Sequence, residues 1–134
     1  MSNHALVSLI TLISLMMFFW TALRVGRARG TYGIKAPATT GHEEFDRHFR
    51  VQMNTLEGLV IFLPSLWLFA AFGNEQVAAG LGVVWIIGRV LYALTYVTDP
   101  SKRSAGFGIS ALAMLALLLG ALFFVAKALI ISGV

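Results

Sequence analysis

Arg50, Asn54 and Glu57 stand at i, i+4 and i+7 and so share one face of a helix. They belong to the polar run Arg50-Val51-Gln52-Met53-Asn54-Thr55-Leu56-Glu57, where an apolar segment begins. A second set, Arg89, Tyr92 and Tyr96, has the spacing i, i+3, i+7 and again shares a face. An ionisable side chain in hydrocarbon costs roughly 2.5–3.5 kcal/mol on insertion scales. Polar faces in such surroundings point to a lined cavity or a partner helix. Guanidinium groups there would take carboxylates through charge-assisted hydrogen bonds. The Glu57 carboxylate would take an ammonium group. A pocket of this kind, open to lipid, suits a polar ligand together with an apolar co-substrate arriving from the bilayer.

The elements that must position these residues are membrane helices. The chain has 134 residues, 58% of them hydrophobic and only 12% charged, with a mean hydropathy of +0.83. A soluble domain carries about 25% charged residues. The composition therefore predicts an all-α integral membrane protein forming one domain over residues 1–134. Strand-period alternation of useful length is absent, which argues against a β-barrel. The net charge of +4 fits membrane orientation better than nucleic-acid binding. With no cysteine, any thiol chemistry must come from a small molecule. His4, His42 and His48 lack metal-ligand spacing, so no metal site is expected. Phosphate-cradling glycine loops and a Ser/His/Asp order are not found either.

Four spans emerge, at about Ala5–Leu23, Gly41–Phe72, Gln76–Tyr96 and Phe107–Ile131. Each reaches the ~20 residues a bilayer requires. The first lacks the preceding basic region and the cleavage site of a signal peptide, so it reads as a membrane helix. Thr40 and Glu43 fit a capping box for the second helix. Gly73 suits its end, and Asn74 suits the cap of the third. Asp99-Pro100-Ser101 should break the chain after the third helix, and Pro64 could bend the second. Arg24, Arg27, Arg29 and Lys35 follow the first span, and Lys102 and Arg103 follow the third. The positive-inside rule then makes loops one and three cytoplasmic.

Counted from that side, Tyr96 matches the depth of Arg50, Tyr92 that of Asn54, and Arg89 that of Glu57. The two polar faces are level, and an Arg89–Glu57 pair would reduce the cost of burying either charge. Plainer roles compete. Arg89 and Glu57 could form only a structural pair, Tyr92 and Tyr96 an interfacial aromatic belt, and Arg24 and Arg27 headgroup anchors.

These residues resemble the MAPEG family, the membrane-associated proteins of eicosanoid and glutathione metabolism. The resemblance runs through Pro37-Ala38-Thr39-Thr40-Gly41, Glu44-Phe45-Asp46-Arg47, Arg50-Val51-Gln52-Met53-Asn54, Glu57, Leu66-Trp67, Arg89, Tyr92 and Tyr96. It covers about Arg24 to Arg103 and is carried most specifically by Arg-x-Gln-x-Asn-x-x-Glu at a helix entrance. It implies a homotrimer of four-helix subunits binding glutathione between neighbours. By position Arg29, Arg50, Gln52, Asn54, Glu57, Tyr92 and Tyr96 would contact glutathione, Gln52 from across the interface. Arg103 would activate the thiol, with Ser104 beside it. Gly58 stands where one member of the family has a tyrosine that touches glutathione, and Gly30 and Leu91 replace basic residues.

The resemblance thus implies a membrane glutathione transferase or related peroxidase. Glutathione would be its co-substrate, and an apolar electrophile or lipid hydroperoxide its acceptor. A non-catalytic lipid-binding member is the main alternative. A small four-helix drug exporter fits less well, because such proteins carry a carboxylate in the first helix and Ala5–Leu23 has no charge.

Overall fold

A computed structural model describes residues 4–133 as an all-helical four-helix bundle. Helix α1 runs Ala5–Tyr32, α2 Glu43–Phe72, α3 Glu75–Thr98 and α4 Ser104–Ser132. A 3₁₀ turn, Pro100–Lys102, joins α3 to α4. All four helices are long and apolar enough to cross a membrane.

The helix ends show how local chemistry sets these limits. Asn74 caps α3, its Oδ1 accepting from the Val77 amide at 2.9 Å, and Gly73 closes α2, both as the sequence predicts. Asp99 ends α3 and caps the 3₁₀ turn, accepting from the Ser101 amide and hydroxyl at 3.0 and 2.7 Å. Those hydrogen bonds hold the Asp99 carboxyl below the usual carboxylate range.

Two boundaries differ from expectation. Helix α1 continues nine residues past Leu23, so Arg24, Arg27 and Arg29 form its last turns rather than a loop. Hydropathy marks where the apolar stretch stops, and arginine is a good helix former that lets the helix continue. It ends at Gly33, whose φ of 68° is left-handed and whose amide donates to the Arg29 carbonyl. The Thr40–Glu43 capping box does not form. His42 is the N-cap of α2, its Nδ1 accepting from the Glu44 amide at 3.1 Å while its ring stacks on Tyr32. The Thr40 hydroxyl instead donates to the Asp46 carboxylate at 2.9 Å, which competes with capping the backbone. Pro64 lies within the continuous α2.

Core packing centres on Val7 and Ile10 of α1, Phe62 and Leu66 of α2, Trp85 of α3 and Leu117 of α4. The Phe62 and Trp85 rings stack 4.0 Å apart, only 6° from parallel. Trp67 Nε1 donates to the Thr11 hydroxyl at 2.8 Å, tying α2 to α1. Helices α3 and α4 meet backbone to backbone. A Cβ at Gly106 would stand 2.4 Å from the Tyr92 nitrogen, and one at Gly88 2.6 Å from the Ser110 nitrogen. Only glycine permits this approach, the usual device where apolar driving force between membrane helices is weak. The crossing brings Tyr92 beside Phe107, with ring centroids 6.2 Å apart. Leu112, Phe123 and Ile130 of α4 and Met16 and Phe19 of α1 stay exposed, as lipid-facing surfaces would.

Candidate functional site

A cleft between α2, α3 and α4 gathers most of the polar residues that the sequence singles out. It has two adjoining chambers that share Arg50, Asn54 and Phe107. The polar chamber, of about 480 Å³, is further lined by Tyr92, Tyr96, Arg103 and Ser104. The second, of about 280 Å³, adds Glu57, Gly58, Ile61, Trp85, Arg89, Ser110, Ala111 and Met114. Helix periodicity explains the α2 wall, because Arg50, Asn54, Glu57, Gly58 and Ile61 recur every three or four residues. Tyr92 and Tyr96 stack at 5.4 Å on α3. Arg103 lies at the end of the 3₁₀ turn and Ser104 opens α4, so that turn delivers both to the cleft mouth.

The expected Arg89–Glu57 pair is absent. Arg89 Nη2 donates instead to Asn54 Oδ1 at 2.7 Å and to Thr55 Oγ1 at 3.0 Å. Its guanidinium carbon lies 4.4 Å from the centroid of the Tyr92 ring. The reason is rotational. Three residues turn a helix through about 300°, so Glu57 sits about 60° from Asn54 on the side away from Thr55. Thr55, fully buried, marks the side of α2 that faces the core. Asn54 lies at the edge of that side and meets α3, whereas Glu57 turns outward and is exposed. No ion pair or hydrogen bond among the described residues engages the Glu57 carboxylate.

This arrangement fixes Asn54. Arginine has only donors, so the oxygen of the Asn54 amide must face Arg89. Both Nδ2 hydrogens are then left for a ligand in the cleft. Arg89 is only 4% exposed, and its Nε has no partner among the described residues. Arg50 and Arg103, by contrast, are exposed at the mouth and available to an anion. One chamber can therefore bind a charged ligand. The other offers an apolar floor of Trp85, Ile61 and Met114.

Two sequence candidates lie outside the cleft. Gln52 is half-buried and lines neither chamber. Arg29 donates to the Ala38 carbonyl at 2.7 Å and lies over the Phe45 ring. Conversely, sequence reading missed the contribution of α4. Phe107, Ser110, Ala111 and Met114 are spaced i, i+3, i+4, i+7, a one-face pattern that the uniformly apolar helix conceals. It also missed two arginines that tie α1 and α2 to α3. Arg47 donates to the Val97 carbonyl at 3.1 Å and pairs with Glu43, and Arg24 donates to the Ala93 carbonyl at 3.3 Å. Both arginines bind carbonyls near the C-terminal end of α3, where the helix dipole favours a cation.

The model of the MAPEG family matches residues 7–123. An uncharacterized protein of Synechocystis is 49% identical over 115 residues, 86% of this chain and 84% of that protein. Human microsomal glutathione S-transferase 2 is 42% identical over 122 residues, 90% of this chain and 82% of the relative. Guinea pig (Cavia porcellus) leukotriene C4 synthase is 34% identical over 114 residues, 85% and 76% respectively. A match over nearly the whole length, to relatives that cover most of their own chains, places the protein in the MAPEG family.

Proposed function

We propose that the protein is a membrane-bound glutathione transferase, able also to reduce lipid hydroperoxides with glutathione. The observation that carries this reading is the junction of a cationic chamber with an apolar one in a chain that has no thiol of its own. Glutathione is the co-substrate and a hydrophobic small molecule or lipid the acceptor.

Arg50 takes a glutathione carboxylate, the Asn54 Nδ2 group donates to the peptide, and Glu57 accepts the ammonium. The phenols of Tyr92 and Tyr96 close the polar chamber. A thiol of pKa ~8.5 is mostly protonated at neutral pH, and a nearby guanidinium shifts it toward thiolate. The Arg103 guanidinium fills this role, with Ser104 as a hydrogen-bond donor to the sulfur. The thiol proton passes to solvent and the sulfur bonds to the electrophilic carbon. The leaving group then departs with its electron pair. In the peroxidase reaction two glutathiones supply two electrons, giving glutathione disulfide, an alcohol and water.

A homotrimer accounts for Arg29 and Gln52, which a neighbouring subunit would bring toward the cleft. Native mass spectrometry in mild detergent should show three subunits, and a monomer that still binds glutathione would contradict this assembly. The basic ends of α1 and of the α3–α4 connection face the cytoplasm. Since the chain has no cysteine, single cysteines at Lys35 and Lys102 test this directly, and labelling of either from the opposite side would reverse the orientation.

The decisive experiment measures glutathione consumption by the purified protein in lipid. An aromatic electrophile and a lipid hydroperoxide are assayed side by side. Turnover of at least one is expected. Glutathione binding without turnover of either would favour the non-catalytic lipid-binding alternative.

A further inference from the structure

A separate cavity lies between the last turns of α1 and the first turns of α2. Arg24, Arg27 and Thr31 line it from α1, and Glu44 and His48 from α2. His48 precedes Arg50 by two residues and so lies about 200° round the helix from it. The cavity therefore opens on the side of α2 turned away from the cleft. Val25, Ala28 and Phe45 pack together beside it and fix the two helix ends against each other.

Its charges call for an anion. Arg24 and Arg27 stand three residues apart on one face of α1, so their like charges are neighbours. Arg24 is already positioned. Its Nη1 donates to the Ala93 carbonyl at 3.3 Å, and its guanidinium carbon lies 4.8 Å from the centroid of the Trp20 ring. Its remaining N–H groups are left for a ligand. Arg27 is exposed, and no hydrogen bond or ion pair among the described residues engages its guanidinium. With His48 neutral, two guanidiniums and the Glu44 carboxylate leave a single net positive charge, which a monoanion balances.

The approach to the arginines selects an amphiphile. A neighbouring cavity shares both of them and adds Trp20 and Leu23. Leu23 ends the apolar stretch of α1, Arg24 follows it, and Arg27 lies about 4.5 Å further along the axis. An anion held there has apolar surface on its bilayer side and a polar cavity on its water side. At about 220 Å³ that cavity falls below the roughly 300–1,000 Å³ of a drug-sized ligand, which suits a headgroup rather than a large cofactor.

We propose that these residues form a binding site for one anionic glycerophospholipid. Its phosphodiester sits on Arg24 and Arg27, whose guanidinium forks match phosphate oxygens. The headgroup fills the α1–α2 cavity, where its hydroxyls donate to Glu44 and His48. The start of the acyl chains rests on Trp20 and Leu23. The lipid thereby clamps the end of α1 to the start of α2, independently of the glutathione cleft.

The test titrates the full chain, freed of lipid in mild detergent, and counts bound lipid by native mass spectrometry. Dihexanoyl phosphatidylglycerol should bind at least tenfold more tightly than dihexanoyl phosphatidylcholine. Glycerophosphoglycerol, the same headgroup without acyl chains, should bind at least tenfold more weakly. Arg27→Gln should weaken phosphatidylglycerol binding at least fivefold. Lys35→Gln, which removes an exposed charge outside the cavity, should leave it within twofold. Glu44→Gln should hold phosphatidylglycerol at least as tightly as the native chain. Unchanged melting temperatures without lipid establish that the variants are folded. Equal binding of the two lipids, or equal loss in Arg27→Gln and Lys35→Gln, would reduce the effect to general surface charge and overturn the site. Equal binding of the deacylated headgroup would make it a site for soluble phosphodiesters instead. Weaker phosphatidylglycerol binding in Glu44→Gln would refute the anionic headgroup. Loss of subunits from the Arg27→Gln assembly would assign the cavity to a contact between copies of the chain and overturn the lipid.

Discussion

The two chambers share three residues and differ in what their arginines do. At the mouth, Arg50 and Arg103 are exposed and available to a ligand anion. Deeper in, Arg89 is buried and donates to Asn54 and Thr55, so its charge serves the architecture. The apolar floor of the deep chamber thus lies beside a cation whose donors are turned toward the protein. An arginine in a membrane protein is thus not self-interpreting. Its role depends on whether neutral acceptors of the same fold have already engaged its donors.

Removing Arg103 should break the contrast most severely. If its guanidinium stabilises the thiolate, Arg103→Ala should lower kcat about a hundredfold, the scale of losing one charge-stabilising donor. Glutathione affinity should stay within a few-fold if, as proposed, binding rests on Arg50 and Asn54. Part of the lost rate should return as pH rises toward the thiol pKa of ~8.5. Stopped-flow kinetics across pH checks this, and an unchanged kcat would move the role to Ser104.

Arg89 should show an intermediate effect of a different kind. It acts as a positioning residue that aims the Asn54 amide. Arg89→Met should weaken glutathione binding about tenfold, roughly 1.4 kcal/mol, while kcat at saturating glutathione changes less. Arg89→Lys should not restore affinity, since a point charge cannot reproduce the guanidinium fork that reaches Asn54 and Thr55 together. Calorimetric titration with glutathione separates the cases. Full rescue by lysine would mean that charge alone matters.

The smallest effect is expected at Glu57. Its carboxylate has no partner among the described residues, so Glu57→Gln should leave thermal stability within about 0.5 kcal/mol. An exposed ion pair contributes up to about 1 kcal/mol. Glutathione affinity should thus fall about fivefold, and that of an analogue lacking the amine should not change. Equal losses for both ligands with a lowered melting temperature would restore Glu57 to a structural role.

Much of the molecule was legible in the amino-acid sequence because the signals are local. Twenty-residue apolar stretches specify membrane-spanning helices, since unpaired backbone groups are too costly in hydrocarbon. Asn74, Gly73 and Asp99-Pro100 mark helix ends through bonds to their own neighbours. The polar set Arg50, Asn54, Tyr92, Tyr96, Arg103 and Ser104 also came from spacing and resemblance, and the fold brings all six to one chamber.

What only the tertiary structure decided depends on how one helix is rotated and shifted against another. Hydropathy does not encode that rotation. It left Arg89 opposite Glu57, whereas the rotation of α2 that buries Thr55 put it on Asn54. It gave no sign that Gly58, Trp85, Ser110 and Met114, drawn from three helices, would enclose a cavity. Nor did it show that α1 would carry its arginines as helix, because polarity ends an apolar span without ending the hydrogen-bonded helix. Periodicity names the face of each helix. Only the packed bundle determines which faces meet, because that depends on side-chain volumes summed over all four helices at once.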